Sequence, residues 1–155
     1  MAVMPARALA YIDASLIVRT LMFDEHAHAQ ATDALAAAAG RAATWAVTQV
    51  ETACAVSAAR RARRIGAHTA LDADLGALFA GPEALMLLPG TDPALVDVAM
   101  GVASRRRVRA LDAMHIAVAL VEAKRLAADW PVVFVTANRE QGRAAKAEGL
   151  RVVTV

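Results

Sequence analysis

Short, mainly apolar runs recur along the 155-residue chain, and longer helix-like stretches separate them. The clearest run covers residues 131–136, and similar runs cover residues 8–13, 43–47, 85–88 and 151–155. Strands that are apolar at consecutive positions are buried on both faces, which is typical of a parallel sheet between two helical layers. The pattern therefore predicts a three-layer α/β/α sandwich with a central, mainly parallel sheet.

The segments between these runs carry the signals of helix ends. Ser15 and Thr48 are suitable N-caps, and Pro93 stands where the first turn of a helix accepts proline. Glycine commonly follows the last turn of a helix. We expect one helix after Ser15, one from Thr48 to about Ile65 before Gly66, one opening at Asp92-Pro93, and others over about residues 27–39 (before Gly40), 68–79, 110–127 and 139–148 (before Gly149).

Composition narrows the class of protein. The chain is 58% hydrophobic, yet no stretch of about 20 apolar residues runs without a charge, so the sequence indicates no membrane-spanning helix. No sustained apolar segment precedes Asp13, which argues against a signal peptide. Cys54 is the single cysteine, which excludes an intramolecular disulfide and a cysteine-based zinc site. We therefore expect one cytoplasmic domain spanning residues 1–155.

Four polar residues are expected at one edge of the sheet. Asp13 ends the first strand and Asn138 follows the strand at 131–136, while Glu51 and Asp112 fall in the first turns of helices. Open parallel sheets bind ligands beyond the carboxyl ends of their strands. Any one of these acids could simply complement a helix dipole, but three together form a set of hard oxygen ligands. Such a set suits Mg²⁺ or Mn²⁺.

Four segments, taken in order, resemble the motifs of PIN domains. In that family a strand delivers an aspartate with Ser or Thr two residues on, a second acid follows on a helix, and an aspartate and a histidine open a later helix. The matching segments are Tyr11-Ile-Asp13-Ala-Ser15, Thr48-Gln-Val-Glu51, Arg109-Ala-Leu-Asp112-Ala-Met-His115 and Val133-Phe-Val-Thr136-Ala-Asn138. The resemblance covers nearly the whole chain and implies a PIN-like sandwich.

The resemblance also implies a function. The implied protein is an endoribonuclease that depends on Mg²⁺ or Mn²⁺. Its metal ligands would be Asp13, Glu51 and Asp112, and Ser15 and Thr136 would support these ligands. His115 is expected to pack or hydrogen-bond beside this site. Single-domain PIN proteins of this length resemble VapC toxins, which act on RNA, usually form homodimers and are inhibited by a cognate VapB-like antitoxin.

The sequence departs from the family pattern at Asn138, where an aspartate is usual. The amide can orient a metal-bound water in the catalytic site but carries no charge, so we expect weaker binding of a second ion. Glu140 could compensate only if its loop turned inward. The departure leaves open a catalytically weak module that binds RNA or an antitoxin without turnover.

A different α/β domain that uses Asp13 and Ser15 has less support. A metal-dependent adhesion site would have a second serine where Ile17 stands. A phosphotransferase with an aspartyl nucleophile would have another acid where Ser15 stands, and a lysine late in the sheet.

Basic residues are clustered although the net charge is only +2. Each cluster is compatible with a solvated helix face, and each could instead bind phosphate groups. The residues that we expect as candidate RNA contacts are Arg60, Arg61, Arg64 and Arg109.

Overall fold

A computed structural model describes residues 5, 7–66, 71–81 and 84–155 of the chain. Within these residues a five-stranded sheet has the strand order β3-β2-β1-β4-β5, and every neighbouring pair is parallel. The predicted sandwich with a parallel sheet is therefore confirmed. The strands are β1 (Leu9–Ile12), β2 (Ala42–Trp45), β3 (Met86–Leu88), β4 (Val132–Thr136) and β5 (Arg151–Thr154).

Helices connect the strands and cover both faces of the sheet. They are α1 (Ala14–Leu21), α2 (His28–Ala37), α3 (Thr48–Arg61), α4 (Leu71–Ala80), α5 (Leu95–Arg106), α6 (Ala110–Val118), α7 (Lys124–Ala127) and α8 (Arg139–Ala147), and a π-helical turn (Ala119–Ala123) joins α6 to α7. Residues 67–70, where one predicted helix was expected to begin, lie outside the described ranges. None of the helices in those ranges has the length and apolar character needed to cross a membrane.

Both N-caps predicted from hydroxyl residues are wrong. Asp13 is the N-cap of α1, because its carboxylate accepts the backbone N–H of Ser15, and Ser15 lies inside the helix. Thr48 is the first residue of α3. Its hydroxyl accepts a hydrogen bond from Thr44 Oγ1 at 2.9 Å, so it faces the sheet and does not cap the helix.

Two helix ends also differ from the prediction. Helix α3 ends at Arg61 and not near Ile65, because Arg63 takes a left-handed backbone conformation with φ of 57°. Helix α5 begins at Leu95, beyond the predicted opening at Asp92-Pro93. There the carboxylate of Asp92 accepts the backbone N–H of Ala94, which stabilises a turn before the helix.

Alternate side chains of the central strands enter two separate cores. Tyr11 and Phe134 stack with ring centroids 5.3 Å apart in the core beneath α5, α6, α7 and α8. Ile12 and Val135 enter the opposite core, which α1 to α4 cover. Every residue of β1 and β4 is buried, which explains why both strands are apolar at nearly every position.

The connections place a topological switch point between β1 and β4. The chain moves from β1 outward to β2 and β3, then returns across the sheet to place β4 on the other side of β1. At this point the backbone N–H of Asp13 donates to the carbonyl oxygen of Val135 at 3.0 Å. The crevice beyond these two strand ends is where ligands bind in open parallel sheets.

The π-helical turn fixes the loop that follows β3. Glu122 in this turn is 8% exposed. Its carboxylate accepts the backbone N–H groups of Gly90, Thr91 and Asp92 at 2.9, 3.0 and 3.2 Å. The π-helical turn that continues α6, the helix carrying Asp112, is therefore tied to the sheet through this loop.

Candidate active site

Asp13 lies at the carboxyl end of β1 and is 3% exposed. Its Oδ2 accepts hydrogen bonds from the backbone N–H of Ser15 and from Thr136 Oγ1, both at 3.0 Å, and from the hydroxyl of Ser15. Its Oδ1 accepts from Gln141 Nε2 at 3.0 Å. Because four donors surround one carboxylate, its orientation is fixed before any ligand binds. Ser15 and Thr136, which the resemblance implied as supporting residues, are both among these donors.

Gln141 is the site residue that sequence reasoning missed. Its side chain is fully buried on α8, with Nε2 on Asp13 and Oε1 2.9 Å from Thr136 Oγ1. A signal was present in the sequence, because Gln141 lies among the small residues Gly142, Ala144 and Ala145 just after the Asn138 motif. A buried glutamine in such a helix requires polar partners, and the strand end supplies them.

Glu51 is held by a buried histidine. His115 is 1% exposed, and its Nε2 lies 2.7 Å from Glu51 Oε2 while its Nδ1 lies 2.8 Å from the hydroxyl of Tyr11. A carboxylate only accepts hydrogen bonds, so Nε2 of His115 carries the hydrogen. His115 therefore positions Glu51 and does not offer Nε2 to a metal in this arrangement, in line with its expected place beside the site.

Burial and charge oppose each other at His115 and act together at Tyr11. Burial lowers the pKa of His115, but its hydrogen bond to Glu51 and the negative charges of Asp13 and Glu51 outweigh burial, so the pKa lies above its ordinary value. Burial, followed by the charge of Asp13, raises the pKa of Tyr11 well above its ordinary value. Tyr11 is therefore a neutral hydroxyl that can donate to His115.

Asp112 faces the same crevice from the first turn of α6. Burial, followed by the negative charge of Asp13, raises its pKa above the ordinary value, and the smaller opposing effects of His115 and Arg109 do not cancel this. Asn138 Nδ2 lies 3.4 Å from Asp112 Oδ1, and a backbone hydrogen bond with Arg109 also acts on this carboxylate. Asp112 is thus half-buried with far less support than Asp13 receives.

Asn138 presents its amino group, and not its oxygen, to Asp112. Its Oδ1 caps α8 by accepting the backbone N–H groups of Glu140 and Gln141 at 3.0 and 3.2 Å. These two donors fix the orientation of the amide, because a backbone N–H can only donate. The oxygen that the sequence suggested for holding a water is therefore used by the helix. Glu140 is exposed and makes no hydrogen bond to the acids of the site in the described residues.

The donor set fits a hard divalent cation. Asp13 and Asp112 stand close enough for one charge to raise the pKa of the other, and a cation between them would remove that repulsion. Their ligand atoms are oxygens, which suit Mg²⁺ or Mn²⁺. Among the described residues no three His, Cys, Asp or Glu side chains are grouped closely enough to form a ready metal cage, and Glu51 is held by His115 through Oε2.

The arginines proposed for RNA contact fall into two environments. Arg60 pairs with Asp72 at 2.7 Å, and Arg64 pairs with Asp24 and Glu25 at 2.9 and 2.7 Å. Arg61 is exposed at the end of the same helix, α3. Arg109 precedes α6, is exposed, and is close enough to Asp112 to influence its pKa. The charge of Arg109 lowers the pKa of Asp112, an acid of the site.

A comparison with protein families agrees with this geometry. The model of the PIN domain family matches residues 10–147 of the chain. The protein therefore belongs to the PIN domain family, which confirms the family that the sequence resembles. Members of this family are generally nucleases, and these typically depend on divalent metal ions. A comparison with curated proteins gives no significant match.

Proposed function

We propose that this protein is an endoribonuclease dependent on Mg²⁺ or Mn²⁺, in which Asp13, Glu51 and Asp112 bind the metal. One observation carries the proposal. A buried aspartate held by four donors stands at the switch point of the sheet, and its charge raises the pKa of a second aspartate across the crevice. Keeping two carboxylates this close costs folding free energy, and cation binding would offset that cost.

The residues divide the chemical tasks between them. A divalent cation bound here supplies an activated water and neutralises charge on the scissile phosphate. Asp13 offers a carboxylate of fixed orientation, and His115 holds Glu51 through a hydrogen bond to Oε2. Asn138 donates to Asp112 and so limits its rotation. Arg109 is exposed next to Asp112, where its guanidinium can bind an RNA phosphate.

We further propose that the protein is the toxin of a VapBC-like type II toxin–antitoxin pair, a homodimer inhibited by a VapB-like antitoxin. The support is the resemblance of a single PIN domain over residues 1–155 to VapC proteins. An exposed apolar surface agrees with protein partners. Val96 and Met100 lie one turn apart on α5 and are 59% and 66% exposed. Apolar side chains that share a helix face in this way are common where proteins associate.

The amide of Asn138 supports a second candidate function. Because its amino group meets Asp112 where the family usually has another carboxylate, the site is less acidic than that of a typical member. A module of this kind could bind RNA or an antitoxin without cleaving RNA. Binding without turnover is therefore the alternative outcome of the same assay.

The test is cleavage of a panel of structured RNAs with Mg²⁺, Mn²⁺ or EDTA. We expect cleavage with either ion, none in EDTA, and a rate at least about 100-fold lower in Asp13→Ala, because even outer partners of metal ligands are worth about 10–100-fold. Asp13→Asn retains the shape of the side chain and guards against misfolding, which thermal unfolding checks. Asp74→Ala removes an exposed acid on α4 and is the matched control.

Two results would count against the nuclease. Cleavage that survives EDTA, or that is unchanged in Asp13→Asn, would show that this site does not perform the reaction. A folded wild-type protein that binds RNA but is inert with both ions would favour the second candidate.

A further inference from the structure

Two carboxamides, those of Asn138 and Gln141, point N–H donors at the two aspartates of the site. We infer that this chain binds a single divalent cation, because these amide groups take the positions from which a second cation would contact Asp13 and Asp112. The inference rests on the proposed metal site and specifies how many ions it holds.

At Asp13 the amide is buried and cannot be displaced by solvent. Gln141 is 0% exposed, and its Nε2 donates to Asp13 Oδ1 at 3.0 Å. The remaining oxygen, Oδ2, already accepts from Ser15 and Thr136. A carboxylate oxygen has two lone pairs, so Asp13 retains capacity for one ion at Oδ1 but little for two.

At Asp112 the amide is fixed by the helix that it caps. Asn138 Oδ1 accepts two backbone N–H groups of α8, so its amino group stays turned toward Asp112 Oδ1. Rotating the amide to offer its oxygen to a metal would place the amino group against those two N–H donors. That exchange would lose two hydrogen bonds and the N-cap of α8.

Charge balance leads to the same conclusion. The site offers three carboxylates, those of Asp13, Glu51 and Asp112, while Glu140 is exposed and bonded through its backbone to the cap. One divalent cation leaves this set of carboxylates net negative, whereas two would make it net positive before any substrate arrives. The neutral amides of Asn138 and Gln141 thus satisfy oxygens without adding the charge that would hold a second ion.

A single substitution should reverse the arrangement. Asn138→Asp preserves the helix cap, because aspartate and asparagine are about equally good N-caps. It replaces the amino group facing Asp112 with a carboxylate oxygen, which repels Asp112 and attracts a cation. Gln141→Glu makes the corresponding change beside Asp13, although burying a further carboxylate there endangers folding.

The experiment titrates metal-free protein with Mn²⁺ alone, using calorimetry and the electron paramagnetic resonance signal of unbound Mn²⁺. We expect one ion per wild-type chain. In Asn138→Asp we expect a second ion, and about tenfold tighter binding of the first, the scale on which outer partners tune metal affinity. Gln30→Glu adds the same charge at an exposed position on α2 and is the control, which should still bind one ion.

The outcomes separate the inference from the function on which it rests. Two ions bound by the wild-type protein would overturn the inference and leave the nuclease intact. A folded Asn138→Asp variant that still binds one ion would overturn the role given to the amides. Absence of Mn²⁺ binding together with absence of cleavage would overturn both the inference and the proposed function.

Discussion

The two aspartates of the site are held in opposite ways. Asp13 is 3% exposed and receives four hydrogen bonds, whereas Asp112 is half-buried and has Asn138 Nδ2 at 3.4 Å and a backbone hydrogen bond with Arg109. The difference follows from their positions in the chain. Asp13 ends a central strand and caps the next helix, so neighbouring strands and helices surround it. Asp112 is in the first turn of α6 and projects from that helix alone.

This contrast shows how one site can be both preorganised and adaptable. The orientation of Asp13 is set by folding, so binding a cation there needs no further ordering. Asp112 retains freedom to turn, and it carries the raised pKa because burial and the charge of Asp13 disfavour its ionised form. Substitutions at the two aspartates and at their partners should therefore change the stability of the fold by different amounts and in opposite directions.

The largest loss of stability is expected when a hydrogen-bond donor to Asp13 is removed. Gln141→Leu leaves buried Asp13 Oδ1 without its amide donor, and Thr136 loses its contact with the amide oxygen. We expect the free energy of unfolding to fall by about 2–3 kcal/mol, the scale for a buried group that loses its partner. Urea denaturation measures it, with Gln30→Leu on the exposed surface of α2 as the control. Equal midpoints for the two variants would show that Asp13 does not depend on Gln141.

A smaller loss of stability is expected at Tyr11, which contacts Glu51 only through His115. Tyr11→Phe removes the hydroxyl that lies on His115 Nδ1, and His115 in turn holds Glu51. We expect a loss of about 1 kcal/mol of stability, typical of one net hydrogen bond. Nitrogen NMR of the imidazole should show Nδ1 without a partner while the resonances of Gln141 stay unchanged. Movement of the Gln141 signals would mean that the supports of Asp13 and Glu51 are coupled.

The smallest effect should have the opposite sign. Asp112→Asn removes a carboxylate whose charge opposes that of Asp13, so in EDTA we expect the Tm to rise by less than about 2 °C, because solvent screens the repulsion at this half-exposed group. With saturating Mn²⁺ the wild-type protein should have the higher Tm, because it binds the ion more tightly and is stabilised more by it. A lower Tm for the variant in EDTA would show that Asp112 does not strain the metal-free site.

The stability difference between Asp112→Asn and the wild-type protein should depend on pH with a definite sign. Because the pKa of Asp112 is higher in the folded protein than its ordinary value of 3.8, the folded chain holds a proton over a range where the unfolded chain has lost it. The contribution of Asp112 to stability is therefore greatest at low pH and falls as pH rises through the raised pKa. The advantage of Asp112→Asn should be largest near neutral pH and should vanish as pH approaches the ordinary value. Thermal unfolding between these limits measures it.

The sequence predicts local features of the site better than long-range ones. An apolar run that stops at Asp13 indicates a buried strand with an acid at its end, and the structure contains that strand. The partners of Asp13 could not be predicted, because Thr136 and Gln141 lie 123 and 128 residues away and reach it only through the order of the strands. Nor could the direction of the Asn138 amide, which depends on backbone N–H groups that exist only once α8 has formed.

The two N-cap predictions were wrong for a related reason. Ser15 and Thr48 both have the composition of an N-cap, but a cap also requires its side chain to face the free N–H groups of the first turn. Asp13 competes successfully for that position in α1, and contact with Thr44 orients Thr48 toward the sheet. Residue type is visible in the sequence, whereas side-chain direction is decided by packing.

The sequence separation of Asp13 from its donors also determines how late in synthesis the surroundings of Asp13 can form. A ribosome adds about 5–20 residues per second, so roughly 6–25 s pass between the synthesis of Asp13 and that of Gln141. Through that interval β1 has no β4 to pair with, and the aspartate lacks two of its donors. A growing chain therefore carries Asp13 without the donors from β4 and α8 that orient it, and termination of translation before Gln141 would release a product that never acquires the amide donor.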